Sequence, residues 1–448
     1  MRKACATSCF LLLTFCINAQ WVNVGGGVND NPLAFSIFQG TLYVGGTFNH
    51  AGGLPADFIA QWNGSSWNTV GTGIKLVTND GVESLTTYDS TLYATGQFDS
   101  VGNKSCKGIA QWNGINWDTV GNGITNISGQ NVRTSIIYNK ELYVGGNFGF
   151  TINGKSIYNV AKWNGKIWDS VGTGIDSPIW CSTVYNDVLY VGGDFSLAGG
   201  NQANNIASWD GAKWDSLGSG ISGGFTQVFA ICVYNGRIYA AGQFTTAGGI
   251  AVNNIAVWDG TKWDSVGHGL NNMTQALTVY DGKLVAFGYF DSAGGKPASE
   301  IAYWDGSNWY PIGAGLSGTK TTINWALCVY DSTLYAGGEF TNSGSTPLSY
   351  IAMWTGPLGV DEVKSNSEEV KVWPNPSNGV FTVEQESEKE NEVIEVYNEL
   401  GEKVYSNQLL ARNYQFVIDL SSQPEGIYLY RILSGKGEAL AAGKLIIQ

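Results

Sequence analysis

The chain has 448 residues, 43% of them apolar, with 61 Gly, 17 Trp and 22 Tyr against only 2 His and 3 Met. That length predicts two or three domains, the apolar share excludes global disorder, and the turn-rich, aromatic-rich composition points to an all-β protein. A net charge of −13 with no basic cluster excludes a nucleic-acid partner and disfavours anionic lipid; the acidity serves solubility.

Arg2 and Lys3 precede the apolar run Phe10 to Ile17, and the small Ala19 suits cleavage before Gln20. Residues 1–19 therefore read as a signal peptide for export through the inner membrane. The run is too short to cross a bilayer, and no later stretch is long enough, so no transmembrane segment is expected. Cys106, Cys181, Cys232 and Cys328 remain after cleavage, widely spaced and without CxxC. Free buried thiols are expected in preference to disulfides.

A repeat dominates residues 20–357. Leu42-Tyr43-Val44-Gly45-Gly46-Thr47-Phe48 recurs from Leu92, Leu142, Leu189, Ile238, Leu284 and Leu334, giving seven copies 46 to 50 residues apart. Every copy keeps the second glycine and the Phe two residues on, whereas the first glycine is replaced by Thr95, Ala241 and Phe287. A hairpin follows each copy, as in Ile59-Ala60-Gln61-Trp62-Asn63-Gly64 and Trp67-Asn68-Thr69-Val70. Another strand precedes it, such as Val228 to Tyr234. Asn-Gly or Asp-Gly between short apolar runs is a strong hairpin signal. Each unit thus predicts four antiparallel strands, a to d, and seven such units predict a seven-bladed β-propeller. The seventh unit stops at Trp354 without strand d, and the missing strand stands at the other end of the region as Trp21-Val22-Asn23-Val24. The N-terminal strand is expected to complete the last blade and close the ring.

The Gly-Gly ending of strand b followed by an aromatic–turn–Trp hairpin resembles kelch-type propellers. The wording Leu-Tyr-Val-Gly-Gly-x-Phe and Trp-x-x-Val-Gly also resembles repeats of fungal cortical cell-polarity marker proteins. Both resemblances imply fold rather than activity, because propellers host many functions.

After Pro357 the composition turns polar and acidic, so 358–370 reads as a linker. Seven candidate strands follow within 371–448, enough for a small Ig-like β-sandwich. Val372-Trp373-Pro374-Asn375-Pro376-Ser377-Asn378-Gly379 resembles the opening of the type A C-terminal sorting domain of the bacterial type IX secretion system. Val396 to Val404, with Gly401, resembles its middle, as do Gly426-Ile427-Tyr428, and Lys444-Leu445-Ile446-Ile447 resembles its end. The resemblance implies a source among the Bacteroidota, passage across the outer membrane by the type IX machinery, and release or anchoring at the outer cell surface.

No catalytic set is evident. His50 and His268 are the only histidines, too few for a multi-histidine copper or zinc centre, and neither lies near a Gly-x-Ser-x-Gly elbow. No metal or cofactor is expected. Asp210, Asp259 and Asp305 occupy repeated turn slots, and Asp99 and Asp291 fall short of a calcium ligand set. Fourteen of the seventeen Trp recur at fixed blade positions and belong to the core.

Function is expected where the repeats disagree. Four places before the closing aromatic of strand a, the residue is small: Ala34, Ser84, Thr134, Cys181, Ala230, Ala276, Ala326. One place earlier stand Leu33, Glu83, Arg133, Trp180, Phe229, Gln275 and Trp325. Strand a should be innermost, so these side chains are expected to ring one channel mouth, with Glu83, Arg133, Trp180, Phe229, Gln275 and Trp325 as candidate ligand contacts. The b–c and d–a loops, expected to vary, share that side. Trp180 and Trp325 can stack on a sugar or anchor a peptide. The reading is a monomeric, non-catalytic, secreted or surface-displayed protein that binds a glycan, peptide or protein partner. A hydrolase using carboxylates of the variable-loop face, and a purely structural surface protein, remain alternatives.

Overall fold

The computed structural model describes residues 20–75, 81–124, 131–152, 154–318, 325–358, 370–384, 392–398, 402–409, 415–433 and 439–448. The expected signal peptide at 1–19, most of the expected linker at 358–370, and Gly401 lie outside the described residues. Among those described, every regular element is a β-strand. Two compact units divide the chain, residues 1–358 and 359–448.

The first unit contains seven four-stranded sheets, each ordered a-b-c-d. In the first sheet these are Pro32–Phe38, Thr41–Gly46, Ile59–Trp62 and Trp67–Thr69. Strands a and b join through two residues that both adopt positive φ, such as Gln39 with Gly40, Asn235 with Gly236 and Asp281 with Gly282. That backbone twist matches the twist of the flanking strands. In the seventh sheet the fourth strand is Trp21–Asn23, antiparallel to Ile351–Trp354 with Trp21 opposite Trp354.

The recurrent Trp pair sits at the c–d turn. Trp62 and Trp67 face each other across the strands with ring centroids 5.2 Å apart, and Trp21 with Trp354 repeats the contact at 5.5 Å. The strand-d indole then donates to the carbonyl at the end of strand d in the preceding sheet. Trp117 Nε1 reaches Val70 O at 3.0 Å, Trp309 reaches Val266 O at 2.9 Å, and Trp21 reaches Ile312 O at 3.2 Å. Trp67 of the first sheet donates to Val24 O at 2.9 Å, just beyond the fourth strand of the seventh sheet. The a strands touch one another in chain order, and that of the seventh sheet touches that of the first. Each hydrophobic cluster draws on neighbouring sheets, as where Phe38 and Tyr43 pack with Leu92, Trp112 and Trp117.

The b–c connections differ from expectation. Six carry a two-residue hairpin, for example His50–Ala51 with Leu54–Pro55. In the third sheet the two strands run on instead as Glu141–Ile152 and Lys155–Trp163. These connections are regular because each turns on a glycine at positive φ, as at Gly52, Gly102 and Gly344, which favours a tight reversal. Variation is left chiefly to the d–a connections.

The second unit holds two sheets. Lys371–Trp373, Val380–Glu384 and Gln415–Asp419 form one. Lys403–Leu409, Glu392–Tyr397, Gly426–Leu433 and Ala439–Ile447 form the other, in that order. Phe381, Val383 and Ile418 from the first meet Ile394, Val396, Tyr430 and Leu445 from the second in one core.

Candidate functional site

The variable position of strand a owes its special status to a β-bulge. In the first sheet Pro32 pairs with Gly46 and Ala34 with Gly45, so Leu33 is an extra residue without a cross-strand partner. The same skip isolates Glu83, Arg133, Trp180, Phe229 and Gln275. Trp325 stands just before the first paired residue of its strand, Ala326. A bulge leaves one residue unpaired and re-aims its side chain, which frees that position from sheet packing.

The glycine pair follows from the same geometry. A Cβ on Gly46 would fall on the carbonyl oxygen of Asn31, and one on Gly242 or Gly288 would fall on that of Gln227 or Met273. Backbone cannot yield as a side chain can, so the second glycine is kept in these copies; in the seventh, a Cβ on Gly338 would press on the Trp325 ring instead. At Gly45 a Cβ would meet side chains of the next sheet, Val82 first and then Leu85, and Thr95, Ala241 and Phe287 occupy that slot elsewhere.

The seven side chains, Leu33, Glu83, Arg133, Trp180, Phe229, Gln275 and Trp325, line one cavity of about 140 Å³. Within it Arg133 Nη1 lies 3.4 Å from Glu83 Oε2, the two side chains being 21% and 8% exposed. The Arg133 guanidinium also sits 4.1 Å from the Trp180 ring centroid, and Phe229 meets Trp180 edge-on at 5.5 Å. On the opposite part of the sequence, Trp325 stacks on Phe287 and on Tyr289, each at 4.6 Å. Burial, with Glu339 and Glu300 nearby, pushes the Tyr289 hydroxyl up to about 12. Gln275 Nε2 lies 3.3 Å from Met273 Sδ. Four buried polar atoms of the lining have no hydrogen-bond partner: Arg133 Nε, Trp180 Nε1, Gln275 Oε1 and Trp325 Nε1.

This arrangement bears on the role expected for the tryptophans. Arg133 covers one face of the Trp180 ring, and Phe287 and Tyr289 stack on Trp325, so these ring faces are not free platforms. Phe287 and Tyr289 escaped sequence reasoning, although the loss of the first glycine in the sixth copy was their visible trace. The rest of the chemistry is sparse. Among the described residues no group of three or more His, Cys, Asp or Glu is placed to hold a metal ion. His50 Nδ1 is 2.6 Å from Asn49 Oδ1, and Asp291 accepts from Asn271 Nδ2 at 2.6 Å. Cys106 is buried, Cys181, Cys232 and Cys328 are half-buried, and all four are free thiols. A groove of about 300 Å³ beside the extended third-sheet hairpin is lined by Phe150, Ile152, Ile167 and Trp168 together with Lys107 and Lys166.

In the second unit the sorting-motif residues hold one another. Asn375 Nδ2 donates to Lys444 O at 2.6 Å, while Ile446 N donates to Asn375 Oδ1 at 2.9 Å and Ser377 N to Ile446 O at 2.9 Å. The Pro374–Pro376 segment is thereby tied to the last strand. Gly379 adopts φ +103, and a Cβ there would press on the Ser421 backbone. Tyr428 is buried and donates to Pro424 O at 2.8 Å, beside Gly426 at the start of its strand. Glu395 is bonded by Tyr397, Lys403 and Arg431 at 2.6 to 2.9 Å.

Residues 371–448 match the family described as the secretion system C-terminal sorting domain. No curated protein matches the chain. Among solved structures, the extracellular domain of a one-component system from B. thetaiotaomicron is similar over 87% of this chain and 47% of its own, at 11% identity and TM-score 0.47. The chain thus spans about half the length of that relative. A copper-bound fungal alcohol oxidase of the AA5 family is similar over 96% of this chain and 98% of its own, at 12% identity and TM-score 0.44. PorZ, a bacterial surface component of the type IX secretion system of Porphyromonas gingivalis, is similar over 92% and 64%, at 11% identity and TM-score 0.35. The chain therefore carries a type IX sorting domain, which marks it for secretion or the outer cell surface and implies contact with the type IX machinery.

Proposed function

We propose that the chain is an exported, non-catalytic, kelch-like seven-bladed β-propeller that binds a glycan, peptide or protein partner in the cavity on its axis, and that its C-terminal Ig-like sandwich serves only sorting. Closure of the ring is supported by the Trp21–Asn23 strand on the seventh sheet, by the Trp67 bond to Val24 O, and by the contact between the first and seventh a strands. The observation that carries the binding reading is the convergence of seven dissimilar residues, six of them at bulges, on one cavity. A scaffold repeated seven times needs no such diversity for its own packing, whereas ligand recognition does.

The hydrolase alternative finds less support. Among the described residues Glu83 is the one carboxylate of the cavity lining and lies against Arg133, and a carboxylate beside a guanidinium is a poor general acid. The test is binding of the exported chain to glycan and peptide arrays, compared with the Glu83→Gln/Arg133→Gln double variant, which removes both charges together. Retained binding in the variant would refute the cavity as the site. Turnover of a bound glycan, lost in Glu83→Gln, would replace the reading with the hydrolase one. A chain lacking 371–448 should accumulate in the periplasm, and its normal appearance outside the cell would refute the role given to the tail.

A further inference from the structure

We infer that the cavity takes an uncharged, hydroxyl-rich ring the size of one sugar residue, held by hydrogen bonds to its edge; this rests on the binding reading above. The size comes first. The cavity measures about 140 Å³, and an engineered protein cavity of about 150 Å³ accommodates benzene. One six-membered ring therefore fills it, and a folded peptide turn does not fit.

Charge narrows the class. The lining contains one anion and one cation, Glu83 and Arg133, already 3.4 Å apart. An anionic ligand would face a Glu83 side chain only 8% exposed, and a cationic ligand would face Arg133. Like charges at close range in a poorly solvated site are strongly disfavoured. A neutral ligand leaves the pair intact.

Polarity then selects hydroxyls. Arg133 Nε, Trp180 Nε1 and Trp325 Nε1 are donors without acceptors, and Gln275 Oε1 is an acceptor without a donor. Trp325 and Gln275 are only 6% and 7% exposed. Unpaired buried polar groups are costly, and a site built around them rejects ligands that cannot pair them. A hydroxyl group both accepts and donates, so one polyol ring can satisfy all four atoms, whereas a hydrocarbon or arene satisfies none. Aromatic stacking is not the mode, because Trp325 is stacked on Phe287 and Tyr289 and Trp180 lies under Arg133. Those contacts restrain the indoles before a ligand arrives.

The experiment is saturation-transfer NMR on the full exported chain with neutral monosaccharides (glucose, galactose, mannose, N-acetylglucosamine), myo-inositol, neutral oligosaccharides, glutarate, and glycyl dipeptides. At least one neutral sugar should bind with a millimolar or tighter Kd. Gln275→Leu and Trp180→Phe, which remove the unpaired Oε1 and Nε1 and leave apolar side chains of similar bulk, should weaken it about tenfold in a chain whose far-UV circular dichroism shows the fold retained. Tighter binding of the oligosaccharides would identify a glycan terminus as the source, and equal binding a free sugar. Sugar binding unchanged in both variants, or failure of every neutral sugar while glutarate or a dipeptide binds, overturns the inference and leaves a binding protein. Silence from every probe, with water alone filling the cavity, overturns the binding reading as well.

Discussion

Closure by the N-terminal strand can be tested through a single indole. Trp21 is 1% exposed, packs on Trp354 with centroids 5.5 Å apart, and donates to Ile312 O at 3.2 Å. Trp117 makes the equivalent internal contacts, to Trp112 at 5.2 Å and to Val70 O at 3.0 Å. Trp21→Phe keeps most of the ring but removes the indole bond to the Ile312 carbonyl, which is left with Gly315 N at 3.1 Å, a loss of about 0.5–1.5 kcal/mol. Trp21→Ala adds the cavity left by the indole, for a total of about 3–5 kcal/mol. Urea unfolding of the full chain, followed by far-UV circular dichroism, should show these losses, and Trp117→Phe and Trp117→Ala should match them within about 1 kcal/mol. If the Trp117 variants are destabilised and the Trp21 variants are not, the N-terminal strand is a dispensable edge and the closed-ring reasoning fails.

The two glycines of a pair should respond differently. Gly46→Ala drives a Cβ into the Asn31 carbonyl and should cost about 1–3 kcal/mol, while Gly45→Ala, which presses on the Val82 and Leu85 side chains, should cost less in thermal melts. Burial pushes the Cys106 thiol up to about 12 and those of Cys232 and Cys328 to about 11. Iodoacetamide at about pH 8 should therefore label these cysteines in the denatured chain but not in the folded one, as read by mass spectrometry, because only thiolates react. Hydrogen bonds from Tyr397, Lys403 and Arg431 hold the Glu395 carboxyl down at about 2, against an ordinary 4.5. A depressed pKa contributes stability that is complete above pH 4.5 and drains away as pH falls towards about 2. Melting of the second unit should show that loss, and Glu395→Gln should flatten it; an unchanged profile would remove Glu395 from the account.

Much of the architecture is legible in the residues themselves because it is written in local, repeated signals. The all-β class, the four strands of each unit and the two-residue turns are read from period-two patterning and Asn-Gly or Asp-Gly pairs, which act over a few residues. The displaced fourth strand at Trp21 is equally visible, since a missing copy at one end and a spare at the other can be counted. The sorting domain is recognisable from Pro374-Asn375-Pro376, Gly426, Tyr428 and Lys444 in order, although only the folded unit brings Asn375 onto the last strand. Tertiary structure alone decided what the variable position of strand a is. A bulge depends on two strands slipping by one residue, and that slip leaves no mark within seven residues of either strand. The covered faces of Trp180 and Trp325 were likewise undecidable beforehand, since Arg133, Phe287 and Tyr289 reach them from other parts of the chain. The sequence determined that these seven positions differ; packing determined that they meet.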